Sequence, residues 1–194
     1  MGEEPGTNER VYTLKKFEEK TIRTEQIFNG KIIRLQVDDV ILPDGKEAKR
    51  EIVKHPGAVA IIPITERGTF ILVEQYRKAL ERSIIEIPAG KLEPGELPEK
   101  TAIRELEEET GLGCKELNHI TSFSTSPGFA DEIIHLYSAT GLYAIEDSAR
   151  TDDDEFVEML EVSVEEAEKL MAEEKIFDAK TAFAVLWMKQ YLQK

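Results

Sequence analysis

The stretch from Gly90 to Leu112, GKLEPGELPEKTAIRELEEETGL, constrains this chain more than any other. It crowds four acidic side chains, Glu105, Glu107, Glu108 and Glu109, into the end of a predicted helix. Glutamates three and four residues apart on a helix repel one another. Near the helix C-terminus the dipole disfavours anions as well. Packing gives no reason for such a concentration of like charge, whereas a hard divalent cation turns it into a binding site. The segment therefore reads as a platform for Mg2+ or Mn2+, the alternative being a solvated acidic helix surface.

Local signals frame the helix. Pro94-Gly95 marks a turn before it, Pro98 suits its first positions, and Thr110-Gly111 marks its end, with Gly111 a natural left-handed cap. Ala102, Ile103 and Leu106 are expected on its apolar face. Glu105 and Glu109, four residues apart, fall one above the other, and Glu108 borders them. Arg104 cannot ligate a cation, but its planar guanidinium can hold carboxylates in place by bidentate pairing. Glu93 and Glu96 sit in the loop ahead of the helix.

The remaining composition bounds the possibilities. A chain of 194 residues suits one domain, or one domain with a short extension. Its 41% hydrophobic content is ample for a core. Lys and Arg number 25 against 39 Asp and Glu, a formal net charge of −14. That balance argues against nucleic acid or an anionic membrane as partner, since either needs a basic face. Cys114 is the only cysteine, which excludes an internal disulfide framework and a cysteine metal cluster. The acidic N-terminus lacks a secretory pattern and no apolar run approaches a membrane span, so a cytoplasmic location is expected. Met1-Gly2 resembles a myristoylation start, but Glu3-Glu4-Pro5 is a poor context for it.

The pattern along the chain predicts an α/β fold. Residues 1–48 read as a hairpin extension, with strand-like pieces at Val11–Leu14 and Thr21–Phe28, a two-residue hairpin turn at Asn29-Gly30, and strands over Lys31–Val40 and Lys46–Val53. Such a meander has little core of its own and must lean on the main domain or on a partner chain. In residues 49–194, Ala58–Ile64 is a central strand, Thr69–Gln75 a strand paired with it, and Arg82–Pro88 a further extended piece. Strands follow at Glu116–Ser122, Glu132–Ala139 and Glu155–Val162, with a polar loop over Tyr143–Asp154. Ser163 and Glu166 match a capping box for a helix to about Glu173, and Asp178 caps a last helix reaching Tyr191. Trp187 on that helix reads as packing.

Gly90, Glu96, Arg104-Glu105-Leu106, Glu108-Glu109 and Gly111-Leu112 together reproduce the Nudix box, nine specified positions over 23 residues. The chain thus resembles the Nudix hydrolases, which cleave a nucleoside diphosphate from a linked group. That resemblance implies an α/β/α sandwich around a mixed sheet. It implies Glu105, Glu108 and Glu109 as metal ligands, Arg104 as their orienting group, and the Ala89 carbonyl as a further ligand, with two or three Mg2+ (or Mn2+) ions. Pro127, 16 residues beyond Gly111 in the context SPGFADE, is similar to the marker of the bacterial ADP-ribose pyrophosphatase branch. The N-terminal hairpins, EQYR at Glu74–Arg77 and EIPAG at Glu86–Gly90 extend the likeness.

The branch implies hydrolysis of ADP-ribose to AMP and ribose 5-phosphate, and a homodimer with exchanged N-terminal hairpins. It implies a catalytic base in the loop before the last strand. The candidates there are Asp153, Asp154 and Glu155, with Glu155 preferred because the family uses a glutamate and its side chain reaches further. Arg50 and Arg77 are candidate diphosphate contacts, Phe28 a stacking surface for adenine, and Glu132 an acceptor for ribose hydroxyls or adenine. Phe129 shapes the loop around Pro127. Plain alternatives stand beside these, hairpin packing for Phe28 and surface ion pairs for both arginines. Other substrates remain open, such as GDP-mannose or ADP-glucose, as does a non-catalytic ADP-ribose-binding module.

Overall fold

The computed structural model describes residues 14–146 and 157–193. The chain divides into two compact units at Lys54/His55.

The N-terminal unit is an antiparallel meander of β1 (Lys20–Asn29), β2 (Arg34–Ile41) and β3 (Glu47–Lys54). The second turn forms where Pro43-Asp44-Gly45 predicts it. There the Asp44 carboxylate accepts the Lys46 N–H at 3.1 Å. The first turn differs from the expected two-residue hairpin. Asn29 pairs with Arg34, so the loop is Gly30–Ile33, closed by Gly30 N–H donating to the Ile33 carbonyl at 2.9 Å. The tight turn needs positive φ at both central residues, and neither Asn29 nor Gly30 adopts it. Of the expected Val11–Leu14 strand, Val11–Thr13 lie outside the described residues and Leu14 opens a short 3-10 turn, Leu14–Phe17. Every residue of β1 is exposed.

The second unit is built on β4 (Ala58–Pro63), in which Val59–Pro63 are all buried. Burial on both faces is the reason for its continuous apolar sequence. It pairs in parallel with β10 (Ile134–Thr140), which pairs antiparallel with β9 (Glu116–Phe123). On its other edge β4 pairs antiparallel with β7 (Ala89–Lys91), completing a four-stranded mixed sheet. Alternate residues of β4 feed two cores. Ala60 and Ile62, with Ile64 just beyond the strand, join Phe70, Leu72, Leu136, Val162, Ala184, Val185 and Met188 in one. Val59 and Ile61 join Tyr137, Ala139 and, from the helix, Ala102 and Leu106 in the other. Helix α1 (Pro98–Thr110) therefore covers one face of the sheet, while α2 (Val164–Ala172) and α3 (Ala179–Tyr191) belong to the opposite core. This is the α/β/α arrangement expected.

A second, antiparallel sheet orders β12 (Glu158–Val162), β5 (Phe70–Arg77) and β6 (Arg82–Glu86). The expected pairing of β5 with β4 is reduced to one bridge, Ile64 with Phe70. Ala60 and Ile62 of β4 still meet Phe70 and Leu72 of β5 in one core. Part of the predicted polar loop is also a short strand, β11 (Tyr143–Ala144), paired with β8 (Leu112–Gly113). Gly111 anchors it by accepting the Ile145 N–H at 3.0 Å.

The helix ends follow the sequence signals. Gly111 takes the left-handed conformation (φ 66°) at the end of α1. Ser163 and Glu166 form the reciprocal capping box, and Asp178 accepts the Thr181 N–H. Ile103 is a correction to the predicted apolar face of α1, being 43% exposed. The buried residues are Thr101, Ala102, Glu105, Leu106 and Glu109, a stripe that Ile103 misses by one position. No described helix is long and apolar enough to cross a membrane.

Leu136 is fully buried and Leu186 is 60% exposed. Leu136→Ala should therefore cost about 2–5 kcal/mol of unfolding free energy in urea titration. Leu186→Ala should leave the midpoint nearly unchanged.

Candidate active site

Helix α1 packs against β4 and β7 and carries Glu105 and Glu109 into that contact. Each is only 9% exposed. Buried carboxylates need partners, and the strand and the helix itself supply them. Glu109 accepts the Ala89 backbone N–H at 3.0 Å. Glu105 accepts Arg104 Nη1 at 2.8 Å and lies directly against Gly90. A Cβ added at Gly90 would stand 1.9–2.2 Å from the Glu105 carboxyl atoms, so only glycine leaves room for that carboxylate.

Arg104 gathers the remaining acids. Its Nη1 also donates to Glu108 at 2.7 Å, and its Nη2 donates to Glu96, in the loop before the helix, at 3.2 Å. Burial opposes the Arg104 charge, but the Glu96 hydrogen bond and the Glu105 and Glu108 carboxylates outweigh it and hold its pKa above the ordinary value. In return Arg104, with help from Thr101, holds Glu96 below the usual carboxylate range. Arg104 thus joins Glu96, Glu105 and Glu108 through hydrogen bonds.

The donor set is all carboxylate oxygen, the chemistry that suits Mg2+ or Mn2+. One guanidinium nitrogen already sits within hydrogen-bonding distance of both Glu105 and Glu108, so a cationic position exists between them. Among the described residues, no three His, Cys, Asp or Glu side chains converge closely enough to cage an ion by themselves. Ala89 enters the cluster through its N–H to Glu109.

The other expected site residues fall in several places. Glu132 accepts Thr125 Oγ1 at 3.1 Å and lies 3.4 Å from His55 Nδ1, while the neighbouring Asp131 accepts the His55 N–H at 2.8 Å. These contacts tie the 126–132 loop to the residues just ahead of β4. Pro127 and Phe129 are exposed on that loop, which closes on itself through Phe129 and Ala130 N–H groups donating to the Ser126 carbonyl. Arg77 donates through Nε to the buried Glu86 at 2.5 Å. Phe28 and Arg50 belong to the N-terminal unit. The Phe28 ring covers Gly30 and is half exposed, and Arg50 forks onto Glu19 at 2.6 and 2.8 Å. Asp153, Asp154 and Glu155 lie outside the described residues.

Sequence reasoning missed two partners. His55 is beside Glu132, and Lys180 holds Glu86. Lys180 had a signal, a lysine two residues after a helix cap, where the dipole disfavours a cation.

The chain belongs to the Nudix family: residues 54–183 match the family described as NUDIX domain. Residues 19–53 match the nucleoside diphosphate sugar hydrolase N-terminal domain. The chain is 59% identical over 180 residues to the ADP-ribose pyrophosphatase of Bacillus subtilis (strain 168), covering 93% of this chain and 95% of that protein. It is 60% identical over 179 residues to the methanol dehydrogenase activator of Bacillus methanolicus, covering 92% and 95%. Among solved structures, an ADP compounds hydrolase matches with a TM-score of 0.79 over 91% of this chain and 95% of that one; at 21% identity the likeness concerns the fold. The protein is a Nudix hydrolase.

Gly90→Ala should expel the Glu105 carboxylate from its seat while leaving the fold intact, because the obstructing atoms are the far end of a flexible side chain. Calorimetric titration with Mn2+ should show weakened binding at a nearly unchanged melting temperature. Wild-type affinity in the variant would contradict the cradle.

Proposed function

We propose that this protein hydrolyses the pyrophosphate bond of ADP-ribose, giving AMP and ribose 5-phosphate. The observation that carries this reading is the α1 cradle, with Glu105 seated against Gly90 and joined to Glu108 through one nitrogen of Arg104. The similarity to a relative named ADP-ribose pyrophosphatase along almost the whole chain supports the substrate.

In this reading Glu105, Glu108, Glu109 and the Ala89 carbonyl hold two or three divalent ions, Mg2+ or Mn2+. When bound, the metal neutralises the diphosphate and lowers the pKa of an attacking water. Arg104 keeps the carboxylates aimed between turnovers, opposing the repulsion that would spread them. Arg77 and Arg50 bind the diphosphate oxygens, for which a planar guanidinium is well shaped. Phe28 stacks on adenine, and Glu132 accepts hydrogen bonds from ribose or adenine. Glu155 takes the proton of the attacking water, with Asp153 as the nearby alternative.

The same reading places the enzyme in the cytoplasm as a homodimer with exchanged N-terminal hairpins. Support for the dimer comes from the N-terminal unit itself. Ile22, Ile27 and Phe28 on β1, and Ile32 in the loop after it, are each more than half exposed. Apolar groups gathered on one small meander call for a cover. A second copy supplies it, and light scattering should give twice the chain mass.

A relative named methanol dehydrogenase activator favours a second reading, in which the chain raises the activity of such a dehydrogenase. Adding the purified chain, and separately a Glu105→Gln variant, to a methanol dehydrogenase assay decides whether that effect exists and whether hydrolysis underlies it.

Rates on ADP-ribose, ADP-glucose, GDP-mannose and NADH should rank ADP-ribose first in kcat/KM; a clear win for another compound rejects the substrate. Glu105→Gln and Glu109→Gln should each lower kcat by on the order of a hundredfold or more at saturating Mg2+. Their melting temperatures without metal should not fall, since each substitution relieves charge repulsion.

A further inference from the structure

Two cations grip one buried carboxylate. Glu86, 2% exposed, gives one oxygen to Arg77 Nε and the other to Lys180 Nζ, both at 2.5 Å. Lys180 is 7% exposed, and its ammonium is aimed from the other side by Asp178 Oδ1 at 2.9 Å. The α3 start is fastened to the same strand end, because Ile87 N–H donates to Thr181 Oγ1 at 3.0 Å. Lys180 carries two liabilities. It is a buried amine, and it stands in the first turn of α3, where the helix dipole opposes positive charge. Neutralising Glu86 does not require it, for a guanidinium alone can satisfy a carboxylate by a two-point fork.

The strand register sharpens the point. Across the β5–β6 ladder Glu86 faces Val73, whereas Arg77 faces Arg82. Arg77 must therefore reach back along its strand to touch Glu86, and it does so through Nε alone. With the Lys180 ammonium competing for the other oxygen, Glu86 holds Arg77 at the single point seen here.

We infer that Lys180 is a positioning residue for the substrate diphosphate: by occupying one oxygen of Glu86, it limits that carboxylate to a single-point hold on Arg77 and leaves the terminal guanidinium nitrogens for phosphate. The inference rests on the reading of Arg77 as a diphosphate contact. Without Lys180, Glu86 draws Arg77 into a full fork, and its charge is spent inside the protein.

The test uses the full chain with Mg2+ and ADP-ribose, comparing wild type, Arg77→Ala, Lys180→Met, the double variant and Lys180→Arg. Lys180→Met should raise KM about tenfold, the scale of one charged hydrogen bond, with kcat little changed. Lys180→Arg keeps the cation and should recover most of the loss. In the Arg77→Ala background, Lys180→Met should add nothing to KM, since it acts through Arg77. A merely structural role would instead lower the active fraction, and hence kcat, in both backgrounds. Should Lys180→Met not fold, Lys180→Gln takes its place in the same cycle. An unchanged KM in the Lys180 variant, or a KM effect that persists fully without Arg77, overturns the inference. If Arg77→Ala itself leaves KM unchanged while ADP-ribose is hydrolysed, the reading of Arg77 fails. If ADP-ribose is not hydrolysed by wild type, the proposed function fails.

Discussion

Two glutamates buried on one helix face hold the logic of this molecule. Glu105 and Glu109 sit in the contact between α1 and the sheet, where apolar side chains would pack at far lower cost. The protein accepts that cost by giving each carboxylate a fixed seat, Glu109 on the Ala89 N–H and Glu105 against Gly90 and Arg104. Both acids are thereby held in fixed positions by contacts within the chain. Such fixed carboxylates suit the proposed metal-binding role, since ligands set in advance need not be gathered at the moment of binding.

The fold serves this arrangement through β4. Because both faces of that strand are buried, it can carry α1 on one side and the α2–α3 core on the other. Its edge partner β7 is only three residues long, yet it brings the Ala89 N–H and the bare Gly90 backbone to the helix. The apolar residues Ala102 and Leu106 clamp α1 to the sheet, and Thr101, Glu105 and Glu109 share the same stripe. The packing residues and the two buried carboxylates thus share one face of one helix.

A second ionic arrangement lies at the end of β6. Arg77, Glu86, Lys180 and Asp178 alternate in charge across a strand pair and the start of α3. Glu86 precedes the Pro88-Ala89-Gly90 segment by two residues, so the buried ions and the α1 carboxylates bracket one short stretch of backbone. The strand end is held by side-chain ions on one side and by carboxylates of α1 on the other, with the Ile87–Thr181 bond between.

Much of this was legible in the sequence, and the reason is local. The α1 boundaries, the Gly111 cap, the Ser163–Glu166 box and the Asp178 cap depend on residues within a few positions of one another, and they came out as read. The spacing of Glu105, Arg104, Glu108 and Glu109 fixed their common neighbourhood, since helix geometry converts sequence interval into direction. Contacts between distant segments were not legible. Nothing in the chain's order says that β5 leaves β4 for β6 and β12, or that Tyr143–Ala144 pairs with Leu112–Gly113. Nor does it say that Lys180 reaches Glu86, 94 residues away. The sequence by itself determined the helices, their ends and the acidic motif, because each is written in neighbouring residues. The tertiary structure alone decided which strands meet and which buried charges share a partner, because those depend on how separate apolar faces satisfy one another in a common core.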